Sequence, residues 1–255
     1  MQDFHYLYGQ SLRIFNKMIL NNNGQLIIGG MDIGNAEDLG GRIKQAIQSV
    51  DYILVENKNI FLDKCIKINI NSKAEIIEYY WQVENGNKIV SNMINEIKDG
   101  KLVLLISDDG MPAICDPGSE LIRAAHDTNI KVTVIPGPSI LSTLPSVLGL
   151  NSTTFTFEQR LPIEKHLREK MLLKFKQDDR SFMFLISNRR DENIYFMEIL
   201  NHIKEIFGKD AFLGVGINLT HKDEMVFVGS IDNIIKQCSS ISIDGRHNIS
   251  VFVNR

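Results

Sequence analysis

One segment of the chain, residues 107–118 (SDDGMPAICDPG), combines carboxylates with glycines and prolines, as loops that bind polar ligands often do. Its glycines permit backbone geometry that a side chain would block, and its prolines stiffen the loop. Three side chains could accept hydrogen bonds from ribose hydroxyls or an amine, or lie beside a sulfonium: Asp108, Asp109 and Asp116. A turn capped by Ser119 would explain the same residues, and the spacing alone favours neither interpretation.

Two further loops have a related composition. Residues 136–139 (PGPS) precede a predicted helix, whose free N–H groups Ser139 could cap and a ligand could use. Residues 29–35 (GGMDIGN) follow the first predicted strand, but they form neither GxGxxG nor a GKS or GKT motif. Taken alone, each loop is more simply interpreted as a turn.

Charged side chains at two other strand ends are candidates for chemistry. Glu56 follows a predicted strand and could act as a base or bind the substrate, although an exposed carboxylate is an equally simple interpretation. Arg189 and Arg190 follow a later strand and could contact a phosphate or a carboxylate, although solvated loop charges are common. His126, His202 and His221 have no partner at metal-ligand spacing, so no metal site is expected.

Strands and helices alternate in the first half of the chain, which predicts a parallel sheet wound with helices. The short apolar run LVLLI indicates a strand buried on both faces. Apolar residues at helical spacing indicate the intervening helices. The predicted strands are 25–30, 52–55, 102–106 and 132–135, and the predicted helices are 38–49, 84–98, 119–127 and 139–148.

The pattern restarts near residue 150, where we predict a domain boundary. Residues 1–23 are taken as a leader, 24–150 as a first α/β domain and 151–255 as a second. Hairpin-like spacing predicts a mixed sheet in the second domain. Its expected strands are 153–157, 181–186, 211–218, 225–228 and 249–253, and its expected helices are 164–176, 194–207 and 231–237. The helix 164–176 is basic but interspersed with acids, which favours a solvated face over a phosphate-binding one.

The composition excludes several classes of protein. The chain of 255 residues is 44% hydrophobic and 23% charged, which is ordinary for globular proteins, and its net charge of −3 gives no global attraction to nucleic acid. Three scattered cysteines suggest a reducing compartment. No apolar run reaches the roughly 18 residues of a membrane span, and the amino terminus lacks signal-peptide character. A cytoplasmic protein is expected.

The ordered set of segments resembles the tetrapyrrole methylase superfamily. The matching segments are QLIIGGMDIGN, VDYILVEN, LLISDDGMPAICDPGSELIRAA, IKVTVIPGPSIL and FTFEQRLP, in that order. The SDxGxPxxxDPG and PGPS motifs are the most specific, and the similarity covers about residues 24–255. The closest branch resembles the 16S ribosomal RNA cytidine 2′-O-methyltransferases and their bacterial paralogs.

This resemblance implies a homodimer of two αβα domains that transfers the methyl group of S-adenosyl-L-methionine (SAM), with SAM held in the cleft between the domains. Glu56 and Arg189 become the candidate catalytic residues. Matching positions imply the following cofactor-binding residues: Asp32, Gly34, Asn35, Asp108, Asp109, Gly110, Met111, Pro112, Pro136, Gly137, Pro138, Ser139, Leu219 and Thr220.

Departures from the family leave the acceptor open. An acidic-Asp-Thr-Arg run is replaced by Glu56-Asn57-Lys58-Asn59, which keeps the acid and loses the arginine. In a Tyr-Glu-Ser run, Ile186 stands where the carboxylate is expected. Methylation of a ribose hydroxyl benefits from a base and from phosphate anchors, so these changes bear on the RNA substrate more than on SAM. The acceptor could be RNA, a small molecule or a peptide, or the chain could be a SAM-binding paralog that has lost catalysis.

Overall fold

The computed structural model describes residues 24–80, 86–150, 154–178, 180–186, 192–243 and 247–254. The chain divides into two compact units, Met1–Ser139 and Ile140–Arg255. The predicted leader lies outside the described residues. Within the described part of the chain, no helix combines the length and the apolar character needed to cross a membrane.

The first unit is built on a five-stranded parallel sheet in the order β3-β2-β4-β1-β5. The parallel sheet predicted from the alternating pattern is therefore confirmed. Its elements are β1 (Gln25–Gly29), α1 (Gly41–Ser49), β2 (Tyr52–Val55), α2 (Lys58–Lys67), β3 (Glu75–Glu78), α3 (Gly86–Lys98), β4 (Leu102–Leu105), α4 (Ser119–Asp127) and β5 (Lys131–Ile135).

Apolar side chains of the central strands alternate between two cores, one on each face of this sheet. On β1, Ile27 packs into the core beneath α1 and α2, while Leu26 and Ile28 pack into the core beneath α3 and α4. A strand buried on both faces is apolar throughout, which is why LVLL of β4 is fully buried. Helices on both faces give this unit its αβα layers.

Two elements of the first unit differ from the sequence prediction, which had no helix at 58–67 and no strand at 75–78. The helix α2 begins at an N-cap, Asn57, whose side chain accepts bonds from the N–H groups of Asn59 and Ile60. Only Phe61 and Cys65 of α2 are buried, so its apolar periodicity is weak. The edge strand β3 reads EIIE and is only half-buried.

The second unit contains α5 (Ile140–Leu148) and a mixed five-stranded sheet in the order β6-β7-β10-β8-β9. Strands β6 and β7 are parallel and the other neighbours are antiparallel, as the hairpin-like spacing predicted. The remaining elements are β6 (Phe155–Glu158), α6 (Lys165–Gln177), β7 (Ser181–Ile186), α7 (Glu192–Phe207), β8 (Phe212–Ile217), β9 (Met225–Ser230), α8 (Ile231–Cys238) and β10 (Ile249–Asn254).

The division between the units falls before α5, whereas the boundary was predicted near residue 150. Leu144 and Leu148 of α5 are buried in a core shared with Met183 and Phe252 of the second sheet. Gly214 and Gly216 leave room for these leucines, because a Cβ at either glycine would lie under 3 Å from them. The packing of α5 therefore assigns residues 140–150 to the second unit.

The basic helix α6 was predicted to have a solvated face, but one of its basic residues is buried. Arg168 is fully buried, and its guanidinium donates to the carbonyls of Pro162 and Ile163 and pairs with Glu198. It also donates to Nδ1 of His202, at 3.2 Å. Arg168 thus stabilises the loop between β6 and α6 from within the core.

Candidate functional site

The three loops singled out in the first unit meet at the carboxyl edge of its sheet. The first loop (residues 30–35) follows β1, the second loop (residues 107–118) follows the central strand β4, and the third loop (residues 136–139) follows β5. The N–H of Met31 donates to the Gly110 carbonyl at 2.7 Å, and the N–H of Gly110 donates to the Asp32 carbonyl at 3.1 Å. This reciprocal pair joins the first and second loops, at the edge where open α/β sheets bind ligands.

Glycines let the backbones of these loops approach one another. A Cβ at Gly30 would lie 2.6 Å from the backbone of Gly137 in the third loop and 2.6 Å from Sδ of Met111. Gly110 has a φ of +72°, a left-handed conformation that glycine adopts without strain. Its hypothetical Cβ would meet only Ile33 and the Pro138 carbonyl, at 3.6 and 3.7 Å. The glycine pattern thus has a structural cause in loop contact and backbone conformation.

The backbone of the second loop is strained. Ala113 and Cys115 have φ values of +65° and +66°, where a Cβ is unfavourable, and Gly118 follows at +132°. Each non-glycine residue in this region costs about 1–3 kcal/mol and persists only where its surroundings hold it. Such conformations cluster at ligand sites, which supports a functional interpretation of this loop.

Carboxylates gather around the second loop and titrate unusually. Burial and the charge of Glu56 raise the pKa of Asp108 to about 6. Burial and Glu56 also raise the pKa of Asp116 to about 7, although a hydrogen bond from Ser107 opposes the shift. The pKa of Glu56 itself is raised by burial and by Asp109. Perturbed carboxyl groups at a sheet edge are characteristic of functional sites.

Lys64 of α2 is the cation in this group, and the sequence analysis did not identify it. Its ammonium lies 3.0 Å from Oδ2 of Asp32, 2.8 Å from Oδ1 of Asp109 and 2.6 Å from the carbonyl oxygen of Asp108. The N-cap character of Asn57 was the signal for α2, but nothing in the sequence pointed to this side chain.

Several predicted site residues have identifiable structural roles in the loops. Asp32 is buried and accepts from the N–H of Gly34 at 3.1 Å. Asn35 caps a short 3-10 helix at Ala36–Asp38 by accepting from the N–H of Glu37. The remaining predicted residues of the second and third loops lie at the same edge: Met111, Pro112, Pro136, Pro138 and Ser139. Ser119 does not cap α4, whose N-cap is Gly118 and has no side-chain cap bond.

Leu219 and Thr220 lie in the second unit, in a tight turn after β8. Thr220 has a φ of +70°, a genuine outlier for a β-branched residue, and its N–H donates to Glu224 at 2.7 Å. Leu219 is buried against α5 and Gly216. The strain in this turn is again typical of functional segments. Arg189, like its neighbour Arg190, lies outside the described residues.

Comparison with known proteins decides the family. The family model for Tetrapyrrole (Corrin/Porphyrin) Methylases matches residues 25–235, which is most of the chain. The chain belongs to the tetrapyrrole methylase family. Like its relatives, it is a SAM-dependent methyltransferase, which confirms the family resemblance and the activity that it implied.

Relatives and solved structures agree with this assignment. The chain is 32% identical to Ribosomal RNA small subunit methyltransferase I of Thermotoga maritima, over 83% of this chain and 90% of the relative. It is also 32% identical to the protein of that name in Buchnera aphidicola subsp. Schizaphis graminum, over 85% and 72%. Diphthine synthase matches with a TM-score of 0.62 at 14% identity, over 90% of this chain and 89% of that one. Uroporphyrin-III-C-methyltransferase of Thermus thermophilus matches with 0.54 at 15% identity, over 91% and 92%. The two structures share the fold.

The chemistry of the edge suits SAM, which carries a sulfonium and an amine. In the described part of this edge, five carboxyl groups interact with one another or with the ammonium of Lys64, so the group is net negative where a cationic ligand would bind. The carboxyl groups are those of Asp32, Glu56, Asp108, Asp109 and Asp116. The residues present therefore fit the methyl donor of this family.

Proposed function

We propose that the chain methylates a ribose hydroxyl of small-subunit ribosomal RNA. The observation that carries the proposal is the 32% identity, across more than four-fifths of the chain, to relatives named for that RNA. SAM supplies a methyl group on a sulfonium that is already activated, so the protein mainly has to position donor and acceptor. No metal is required for such a transfer.

The loops of the first unit are proposed to hold the cofactor. The carboxylates of Asp108 and Asp116 supply negative charge toward the sulfonium or the amine, and Asp108 also accepts from the N–H of Asn57 at 3.1 Å. The first and third loops pack closely at Gly30 and Gly137, because a Cβ at either glycine would lie under 3 Å from the backbone of the other. The cofactor-binding role that the family resemblance implies for Leu219 and Thr220 stays a prediction.

Glu56 is proposed as the base that accepts the proton of the attacking hydroxyl. It lies directly after β2, at the same edge as the second loop, and the N–H of Asp108 donates to it. Burial raises its pKa, which makes it a stronger proton acceptor than an exposed glutamate. Arg189 is proposed to anchor an RNA phosphate, and that role stays a prediction.

A labelling experiment tests the acceptor. Purified protein is incubated with methyl-labelled SAM and small ribosomal subunits from cells that lack the chain. The label is then followed into RNA, protein and small molecules. The proposal expects label in RNA that persists as a 2′-O-methylated nucleoside after nuclease digestion, and a large loss of labelling for Glu56→Gln.

The other outcomes identify the alternatives. Label in protein or in small molecules would contradict the RNA acceptor and retain the methyltransferase. SAM binding without any labelled product would favour a catalytically impaired paralog. One observation supports that second candidate: Ile186, at the end of β7, is a buried aliphatic residue where the family resemblance expects a carboxylate.

We further propose a homodimer in the cytoplasm, because the family resemblance implies that assembly and the expected substrate lies in that compartment. Light scattering coupled to size-exclusion chromatography measures the assembly directly. A mass near twice the 29.0 kDa of one chain is expected, and a monomer at micromolar concentration would contradict the dimer.

A further inference from the structure

The side chain of Lys64, which lies outside the three loops, contacts both the first and the second loop. It lies in α2, a helix that follows β2 and contributes no other predicted site residue. Only 11% of its side chain is exposed, although lysine is normally a solvated residue. Its ammonium donates hydrogen bonds to the carbonyl oxygen of Asp108 and to Oδ1 of Asp109, and it forms an ion pair with Oδ2 of Asp32 at 3.0 Å.

The contact with Asp32 is the one that distinguishes this arrangement from a surface ion pair. The side chain of Asp32 is 3% exposed, whereas that of Asp109 is 57% exposed. An ionised carboxylate that is almost fully buried needs an opposite charge, and in the described residues Lys64 is the cation paired with Asp32. The exposed Asp109 adds little by itself, since water screens that pair.

The backbone shows what the ammonium would hold in place. The N–H of Met31 donates to the Gly110 carbonyl, and the N–H of Gly110 donates to the Asp32 carbonyl. Lys64 lies against Asp32 of the first loop and Asp108 of the second. Without the ammonium, the buried Asp32 would lose its counter-ion. A buried carboxylate without its partner charge is strongly unfavourable, so the first loop would rearrange.

We infer that Lys64 is a positioning residue that joins the first and second loops into one preformed cofactor surface. This inference rests on the proposed location of SAM at that edge. A ligand surface formed before binding spares the ligand the free energy of ordering the loops. The role of Lys64 is thus to raise affinity for SAM without donating to SAM itself.

Three variants test the inference. Lys64→Met keeps the length of the aliphatic chain and removes the charge, while Lys64→Arg keeps the charge. Lys67→Met is the matched control, because Lys67 lies one turn further along α2 and is exposed. SAM affinity is measured by calorimetry between pH 6 and 9. Amide hydrogen exchange is followed in the ligand-free proteins, in peptides that cover residues 30–35 and 107–112.

The expected result is specific to the two loops. Lys64→Met should bind SAM at least about tenfold more weakly at pH 7.5 and exchange faster in both peptides, with little change in the rest of the sheet. Lys64→Arg should recover most of the affinity, and Lys67→Met should match the wild type. If Lys64→Met fails to fold, Asp32→Asn removes the same ion pair from the other side, and the same faster exchange is expected.

The pH dependence of SAM affinity distinguishes a positioning role of Lys64 from a role that only stabilises α2. Asp108 faces Glu56, Asp109, Lys64 and the N–H of Asn57, and of these charged neighbours only Lys64 lowers its pKa. Loss of the ammonium should therefore raise the pKa of Asp108 in Lys64→Met. The pH at which half of the SAM affinity is lost should then be higher than in the wild type. A residue that only stabilises the helix would lower the melting temperature and leave this midpoint unchanged.

Failure of the inference can be distinguished from failure of the proposed function. If the wild type binds SAM and Lys64→Met binds it equally well with unchanged exchange in both peptides, the inference is wrong and the SAM site stands. If exchange accelerates throughout the first unit, Lys64 is a general structural residue and the inference is again wrong. If the wild type binds no SAM, the proposed function fails, and exchange in the two loops alone decides whether Lys64 joins them.

Discussion

Two half-buried carboxyl groups of the second loop, Asp108 and Asp116, titrate close to neutral pH and place folding in conflict with ligand binding. Their raised pKa values mean that the folded chain prefers their neutral forms, chiefly because burial disfavours the charge. A cationic ligand prefers the ionised forms. We therefore expect this loop to be less stable in the ligand-free protein than an apolar loop would be, and to be stabilised by its ligand.

Asp116→Asn should make the ligand-free protein more stable at pH 8 and leave it nearly unchanged at pH 4. The pKa of Asp116 is about 7 in the folded chain and near 3.8 when unfolded, so the folded state binds more protons between these values. Stability is therefore lost as pH rises from about 4 through 7, and the asparagine removes that loss. Melting temperatures of the wild type and of Asp116→Asn at both pH values check the direction of the stability change, with Asp127→Asn as an exposed control. A melting temperature of Asp116→Asn below that of the wild type at pH 8 would contradict the prediction.

Gly110→Val should abolish SAM binding in a protein that still folds. The φ of +72° makes any side chain unfavourable there, by about 1–2 kcal/mol, and a branched one lies over the surface assigned to the ligand. The first Cβ contacts are ordinary van der Waals distances, so the fold should survive with a lower melting temperature. Asp108→Asn, by comparison, should reduce affinity about ten- to hundredfold, since it loses one charged interaction of about 1.5–3 kcal/mol.

At the scale of elements, the edge depends on how closely the loops after β1 and β5 approach. Gly30→Ala should be severely destabilising, because its Cβ would lie 2.6 Å from backbone atoms of Gly137, which cannot move as a flexible side chain can. Gly41→Ala is the matched control, since it lies in α1 and its Cβ would meet nothing within 4 Å. Thermal unfolding of both variants measures the difference. Equal melting temperatures would show that the loops separate more easily than the contact implies.

The helix α2 illustrates where sequence reasoning ends at this scale. The strands β1, β2 and β4 are apolar and largely buried, so their composition and the loops after them predicted the sheet and the edge used for the site. The edge strand β5 is more exposed and was predicted from its place in the alternating pattern. In α2, only Phe61 and Cys65 are buried, and Ile60, Leu62 and Ile66 are exposed. Because the apolar residues of this segment do not form a clear face, the sequence did not predict a helix. Without that helix, the contact between Lys64 and Asp32 could not be predicted.

At the scale of the whole chain, the sequence predicted local features better than contacts between distant segments. Strand composition and spacing predicted a parallel first sheet and a mixed second sheet, and the ordered motifs carried the resemblance to the family. Contacts that join distant segments were not predictable, because one sequence position does not specify its partner. Arg168 with His202 is one such contact, and Lys64 with Asp109 is another. The first contact buries a cation in a helix predicted to have a solvated face, and the second involves a lysine that the sequence analysis did not identify.

The central claim is that this methyltransferase binds SAM at the carboxyl edge of its first sheet. The most direct test is a calorimetric titration of the wild type and of folded Gly110→Val with SAM and with S-adenosylhomocysteine. The account predicts one site per chain in the wild type, with a dissociation constant of about 1 μM to 1 mM, and no detectable binding to Gly110→Val. Absence of binding to the wild type at millimolar ligand would contradict the claim. Wild-type affinity in a folded Gly110→Val protein would contradict the assigned location.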